Sequence, residues 1–266
     1  MSRTIFIGDL HGCYDDAVAL LEKCQVTPTD WVIFLGDFVD RGPENAKCCD
    51  LVRRREQVQG KPAGILGNHE EKHLDHEDCF KRKGRLPDQV PPTHLATRSQ
   101  LKPEHYDWFR SLPLYLRVPE HNAVAVHAGV FPGRPIEAQQ AKHLLHIQMI
   151  RPFDFDESGN MVVNTKSIWP SRVPDNQPGW KFWTHFWDGP ELIVFGHSVL
   201  DKPLITDRVA GIDGGSVFGR QLHAFILPER KVVTVQGAAN FGKGRRGTDN
   251  ANIKTFLVHG DVSTYS

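Results

Sequence analysis

Three short apolar runs constrain this chain more than any other feature. Thr4 to Ile7, Trp31 to Leu35 and Ala63 to Leu66 each stop at a glycine followed by polar, ligand-type side chains. The tips read Gly8-Asp9-Leu10-His11-Gly12, Gly36-Asp37-Phe38-Val39-Asp40-Arg41-Gly42 and Gly67-Asn68-His69-Glu70. A nearly all-apolar run such as Trp31 to Leu35 suits a strand covered on both faces. Between the runs, Tyr14, Ala17, Val18, Leu21 and Cys24 share one helical face. Pro28 ends that helix, and Gly42-Pro43 opens a second one from Glu44 to about Gln57. Strand, helix, strand, helix, strand is the pattern of parallel βαβ units. It puts Asp, His and Asn at carboxyl ends of strands, where open α/β sheets keep their ligands.

Further along, a charged helix is expected from about His69 to Lys83, a loop from Arg85 to Gln100 and a helix from Lys102 to Ser111. Leu114 to Val118 and Asn122 to Val126 read as strands, the second delivering His127-Ala128-Gly129, with a helix from Ile136 to about Ile147 after it. Periodicity breaks down over 152–190, an irregular insertion rather than a second domain, closing on the aromatics Trp180, Phe182, Trp183, Phe186 and Trp187. Those aromatics fit an apolar lid on the sheet better than a platform for nucleobases. Leu192 to Phe195 then leads into Gly196-His197. Val209 to Ile212, Leu222 to Leu227 and Lys231 to Gln236 read as antiparallel strands, followed by a C-terminal extension over about 237–266 with an edge strand at Ile253 to Val258. The expectation is one α/β domain spanning 1–266, a mixed sandwich with helices outside.

Lys plus Arg and Asp plus Glu both number 32, so bulk charge offers nothing to a nucleic-acid polymer or an acidic membrane. No apolar run approaches the length of a membrane span. Met1-Ser2-Arg3 runs straight into a strand without a leader. The cysteines at 13, 24, 48, 49 and 79 are odd in number and lack a CxxC pair, which fits reduced thiols in a cytoplasm.

Collected from the strand ends, Asp9, His11, Asp37, Asn68, His127 and His197 form a set of carboxylates, imidazoles and an amide oxygen suited to divalent ions such as Mn, Fe or Zn. Six donors exceed what one catalytic ion with an open position needs, and suit two ions sharing a carboxylate. Two such ions, about 3.5–4 Å apart, clamp an in-line displacement at phosphorus. Asp37, on the middle run, is the natural bridge. Asp9 and His11 then serve one ion, and Asn68, His127 and His197 the other. His69 would protonate the leaving oxygen with Asp40 orienting it, and Arg41 would grip a phosphate oxygen.

In that order the five motifs resemble the signature of the phosphoprotein phosphatase family of calcineurin-like metallophosphoesterases, over about Ile5 to Leu227. The resemblance implies a central β-sandwich flanked by helices and a dinuclear centre, with Mn first and Fe, Zn, Ni or Co as alternatives. It also implies attack by a metal-bridging hydroxide without a phosphoenzyme. A second phosphate arginine is usual there, and Arg151 is the candidate. Ala128, Gly42-Pro43 and Leu112-Pro113-Leu114 resemble bacterial members and symmetrical dinucleoside-tetraphosphate hydrolases, whereas Asp40 and Glu70 look more like protein phosphatases. The expected activity is hydrolysis of a phosphate monoester, in a phosphoprotein or a small ester, with symmetrical hydrolysis of a dinucleoside tetraphosphate as the alternative and a non-catalytic binding protein third. His69-Glu70-Glu71-Lys72-His73 formally matches a zinc-protease motif but starts directly after a strand, so His73 and His76 are expected on a solvated helix face. The phosphate-loop pattern in Gly237 to Gly244 lacks its Ser or Thr.

Overall fold

The computed structural model describes residues 2–151, 153–155, 161–163, 168–169, 180–238 and 240–241. The elements run β1 (Thr4–Ile7), α1 (Tyr14–Lys23), β2 (Trp31–Phe34), α2 (Asn45–Gln59), α3 (Asn68–Lys83), α4 (Pro92–Arg98) and α5 (Pro103–Ser111). They continue with β3 (Tyr115–Val118), β4 (Ala123–Val126), α6 (Ala141–His146), β5 (Met149–Ile150), β6 (Phe153–Phe155), β7 (Met161–Val163), β8 (Ile168–Trp169) and β9 (Lys181–Phe182). The last five are β10 (Leu192–Phe195), β11 (Leu204–Ile205), β12 (Val209–Gly211), β13 (Gln221–Leu227) and β14 (Lys231–Gln236). One mixed sheet has the order β14-β13-β1-β2 and the other β11-β12-β10-β4-β3.

The uniformly apolar strands are explained by what lies on each face. Side chains alternate along a strand. Phe6, Ile33 and Phe225 from the first sheet join Ala123, Ala125, Leu192 and Val194 from the second in one apolar cluster. On the outer face of the first sheet, Ile5, Ile7, Val32 and Phe34 pack with Leu20, Val52 and Phe109 of the helices. On the second, Val124, Val126, Ile193 and Phe195 pack with Trp183, Trp187 and Phe182. The aromatic cluster is therefore core for the outer face, as the apolar-lid reading expects. This is the mixed α/β architecture, with mixed sheets flanked by helices, that the sequence implies.

Within that frame β1 runs parallel to β2, and β4 and β12 run parallel to the β10 between them. The expected antiparallel setting of Val209 to Ile212 is thus corrected. A hairpin from β11 turns β12 back into the direction of β10. The third apolar run makes only a bridge, with Phe34 N–H on the Ala63 carbonyl and Ile65 N–H on that of Phe34, before bending into α3. Arg85 to Gln100 is not all loop, because Pro92 sits in the first turn of α4 where its missing N–H costs nothing. The helix expected over Ile136 to Ile147 breaks at Gln139, whose amide pairs with both backbone groups of Phe131 and holds the chain extended. In the region 152–190 the described residues include paired short strands, β6 with β7 and β9 with β5. The edge strand expected at Ile253 to Val258 lies outside the described residues, as does most of the Gly237 to Gly244 pattern.

Two buried histidines away from the strand tips make the fold acid-sensitive. His143 stacks on Phe131 at 5.1 Å, and His223 pairs with the Thr234 hydroxyl. Burial, helped by Lys142 and Arg134 for the first and Arg220 for the second, lowers both to about 4. A histidine that stays neutral when folded costs nothing above its unfolded value, about 6.5, and below it the unfolded chain takes up the proton first. Denaturant melts between pH 4.5 and 7 should therefore show stability falling toward acid, by up to about 1.4 kcal/mol per pH unit for each histidine. His143→Leu should flatten that slope relative to the unmodified chain, and an unchanged slope would remove His143 from the account.

Candidate metal centre

The parallel strands deliver their ends to one place. Asp9 follows β1, Asp37 follows β2, His127 follows β4 and His197 follows β10, while Asn68 opens α3. Backbone bonds join the tips: Leu10 and His11 N–H both donate to the Asp37 carbonyl, and Gly196 N–H donates to that of His127. Asp9 accepts the His197 N–H at 3.1 Å, a link between the two sheets. The approach is close enough that a Cβ on Gly196 would lie 2.1 Å from Asp9 Oδ1, and one on Gly67 would lie 2.2 Å from Asp37 N.

The strand tips, above all the loop after β2, carry unusual backbone strain. His11, Asp37, Asp40, Arg41 and His197 all have positive φ, between 45° and 72°. Non-glycine residues avoid this region at a cost of order 1–3 kcal/mol each, and such strain gathers at functional sites. Buried Glu70 holds the loop. Its Oε1 accepts the N–H of Phe38 and Val39, and its Oε2 those of Asp37 and Gly67. Burial pushes this carboxyl upward, yet four N–H donors match only its ionised, acceptor-only form.

Around Asp37 the donor atoms face one another without hydrogens between them. His127 gives its Nδ1 proton to the Leu35 carbonyl at 2.7 Å, so Nε2 presents a lone pair to Asn68 Oδ1 at 2.9 Å and Asp37 Oδ1 at 3.4 Å. His11 likewise gives its Nδ1 proton to Val39 O at 2.8 Å, leaving Nε2 3.5 Å from Asp37 Oδ2. His197 Nδ1 lies 2.9 Å from the same Asn68 oxygen. Burial lowers the pKa of all three imidazoles, which removes a second ring proton as the glue. Lone pairs converging at these distances call for a cation, and neutral imidazole, carboxylate and amide oxygen are the chemistry that holds one. The backbone carbonyls that fix the His11 and His127 tautomers match the usual support of ligating histidines. Asp37 stands between two donor groups, Oδ1 toward His127 and Oδ2 toward His11.

The other expected residues divide. His69 Nδ1 lies 2.6 Å from Asp40 Oδ2 and its Nε2 is 3.9 Å from Asp37 Oδ2. Arg41 Nη1 meets His11 Nε2, and its guanidinium covers the Phe218 ring at 5.6 Å. Arg151 has its guanidinium 5.9 Å from the centre of the Trp180 ring. Cys13 is buried and its thiol is pushed up to about 12, first by burial, so it is not a nucleophile.

Three features escape a reading of strand tips alone. Asp213 follows β12 in Gly211-Ile212-Asp213-Gly214-Gly215, a further strand end of the same kind. It is buried, and burial raises it to about 6. His73 and His76, expected on a solvated face, are buried, because α4 places His94 over them. The pair His69 and His73 from the protease-like pattern turns to the Asp40 carboxylate, while the intervening Glu70 serves backbone.

Glu70→Gln would set an amide NH2 against backbone N–H groups. The substitution should cost about 1–3 kcal/mol of stability and lower the bound divalent metal. Thermal melts and metal analysis of the purified variant check this, and intact metal content would contradict the role of Glu70 in shaping the loop.

Residues 2–235 match the calcineurin-like phosphoesterase family. The asymmetrical bis(5'-nucleosyl)-tetraphosphatase PrpE of Bacillus velezensis is 27% identical over 92% of this chain and 96% of its own length. The symmetrical bis(5'-nucleosyl)-tetraphosphatase of Shewanella sediminis is 33% identical over 64% of this chain and 61% of its own. A crystal structure provisionally described as a diadenosine tetraphosphatase superposes with a TM-score of 0.68 at 26% identity, covering 89% of this chain and 94% of that one. With the family match spanning the strand ends and both sheets, the chain belongs to the calcineurin-like phosphoesterases.

Proposed function

We propose that this metal-dependent phosphoesterase hydrolyses dinucleoside tetraphosphates, by asymmetrical scission into a nucleoside triphosphate and a nucleoside monophosphate. The observation that carries this reading is the likeness, over nearly the full length of both chains, to a protein named for that reaction. The symmetrical relative aligns over a smaller share. Both likenesses support a dinucleoside tetraphosphate, which the motifs alone suggest second and with symmetrical scission, over the phosphate monoester.

Asp9, His11, Asp37, Asn68, His127 and His197 would hold two divalent ions, Mn foremost, with Asp37 shared. Bound there, the ions would supply Lewis-acid polarisation of the phosphoryl group and an activated water. The chain's own residues do the rest. Arg41 reaches the cluster from the loop after β2 and would clamp a phosphoryl oxygen with its planar fork. His69, whose Nδ1 faces Asp40, keeps Nε2 for delivering a proton to the leaving oxygen. Beside it a cavity of about 290 Å³, lined by Asn68, His69, Lys72, His94 and His146 with the carboxylates of Glu71 and Asp75, has room for part of the substrate. Arg151, with its guanidinium over the Trp180 ring, is the candidate second phosphate arginine. The five cysteines are free and buried, and no helix among the described residues is long and apolar enough to cross a membrane. Reduced thiols fit a cytoplasmic protein.

With Mn added, diadenosine tetraphosphate should be turned over in preference to p-nitrophenyl phosphate and phosphoserine peptides, giving ATP and AMP on ion-exchange chromatography. Two ADP would move the assignment to symmetrical scission, and preference for the phosphopeptides would overturn it. His127→Asn should lower bound Mn, whereas His69→Asn should keep it and cut turnover of poor leaving groups by about 10²-fold or more. Unchanged metal in the first variant would remove His127 from the ligand set.

A further inference from the structure

Asp40 has more partners than the proton relay to His69 requires. Its carboxylate is fully buried on a left-handed backbone turn with φ 72°. Oδ2 takes the His69 Nδ1 proton at 2.6 Å and lies 3.2 Å from His94 Nε2, and Oδ1 takes the His73 Nε2 proton at 2.8 Å. These imidazoles come from two elements, His69 and His73 from successive turns of α3 and His94 from α4. The His73 and His94 rings stack at 5.1 Å, and His76 closes the far side at 5.5 Å from His94.

From this geometry we infer that His73 and His94 are positioning residues for proton delivery, His73 holding the Asp40 carboxylate by its hydrogen bond in the one rotation that faces His69 Nδ1 and His94 holding His73 by stacking on its ring. The inference rests on His69 acting as the proton donor. A buried carboxylate with a single partner is costly and free to turn, since its remaining lone pairs are unserved. His73 takes Oδ1 and thereby fixes the carboxylate plane, while His94, stacked on the His73 ring, brings its Nε2 to 3.2 Å from Oδ2. Burial works against the ionised form, yet the hydrogen bonds from His69 and His73 hold Asp40 well below the usual carboxylate range.

Carboxylate, His73 and His94 are also the donor types of a metal triad. Against that use, the Nδ1 atoms of both histidines have no hydrogen-bond partner. A ligating histidine normally donates that second proton to an acceptor. With the His73 Nε2–H directed at Asp40, its Nδ1 is instead a bare lone pair, the cheaper group to bury.

The test compares two aryl monoesters with the Mn-loaded protein, p-nitrophenyl phosphate, whose leaving group needs little help, and phenyl phosphate, whose leaving group needs a proton. His73→Leu and His94→Leu should each lower kcat for phenyl phosphate, the first by about 10²-fold, with a far smaller loss on p-nitrophenyl phosphate and little change in KM. His73→Gln, which keeps an N–H near the Nε2 position, should restore most of the phenyl phosphate activity. Bound Mn should stay at the unmodified level in all three. Equal losses on both esters, or loss of a metal equivalent with His73→Leu, would overturn the inference. His69→Asn separates the two levels. If it discriminates between the esters and neither His73→Leu nor His94→Leu does, the positioning role alone fails. If His69→Asn does not discriminate, the proton-donor reading fails and this inference with it.

Discussion

One buried carboxylate, that of Glu70, ties together the two segments that supply most of the chemistry. Its oxygens collect N–H groups from Asp37, Phe38, Val39 and Gly67, so the loop after β2 and the start of α3 form one rigid piece. Unsatisfied buried N–H groups cost of order 1–3 kcal/mol each, and four of them are served by one side chain. Asp37, Asp40 and Arg41 then keep positive φ angles that none would adopt in a free chain. Strain of this kind persists only when its surroundings over-determine it. Here Glu70, with the contacts of Gly42 and Gly67, provides that surplus.

The rest of the centre hangs on strand direction. β1 and β2 end beside one another because they are parallel, and β4, β10 and β12 do the same in the other sheet. Where the sheets meet, His127 reaches the Leu35 carbonyl and Asp9 reaches the His197 N–H. Packing between Phe6, Ile33, Phe225 and the alanines of β4 sets how near the tips can come. Core packing and site geometry are thus one constraint, and a loosened sandwich would part the lone pairs facing Asp37.

Much of this was legible before any coordinates. Apolar runs ending in Gly-Asp, Gly-Asn or an apolar residue before His located the donor-bearing tips, because strand burial leaves a local signature in the alternation and its abrupt stop. The buried face of α3 left no such mark. It is built from Glu70, His73, His76 and Cys79, so the period that should reveal it is carried by polar residues. Partners from other segments, among them α5, the helix at Pro92–Arg98 and the carboxylate of Asp40, make that face interior. Asp213 joins the other tips only because β12 runs parallel to β10, a direction that local sequence does not mark.

By itself, then, the sequence determined which donors exist, that they follow strands, and that they suit divalent metal and phosphoryl chemistry, since composition and local periodicity carry that information. Tertiary structure decided which donors meet. It set the direction of β12, turned His73 and His94 onto Asp40, and put Arg151 against Trp180. The physical reason is that convergence depends on contacts between segments tens to hundreds of residues apart, and no window of local sequence records where such segments come to lie.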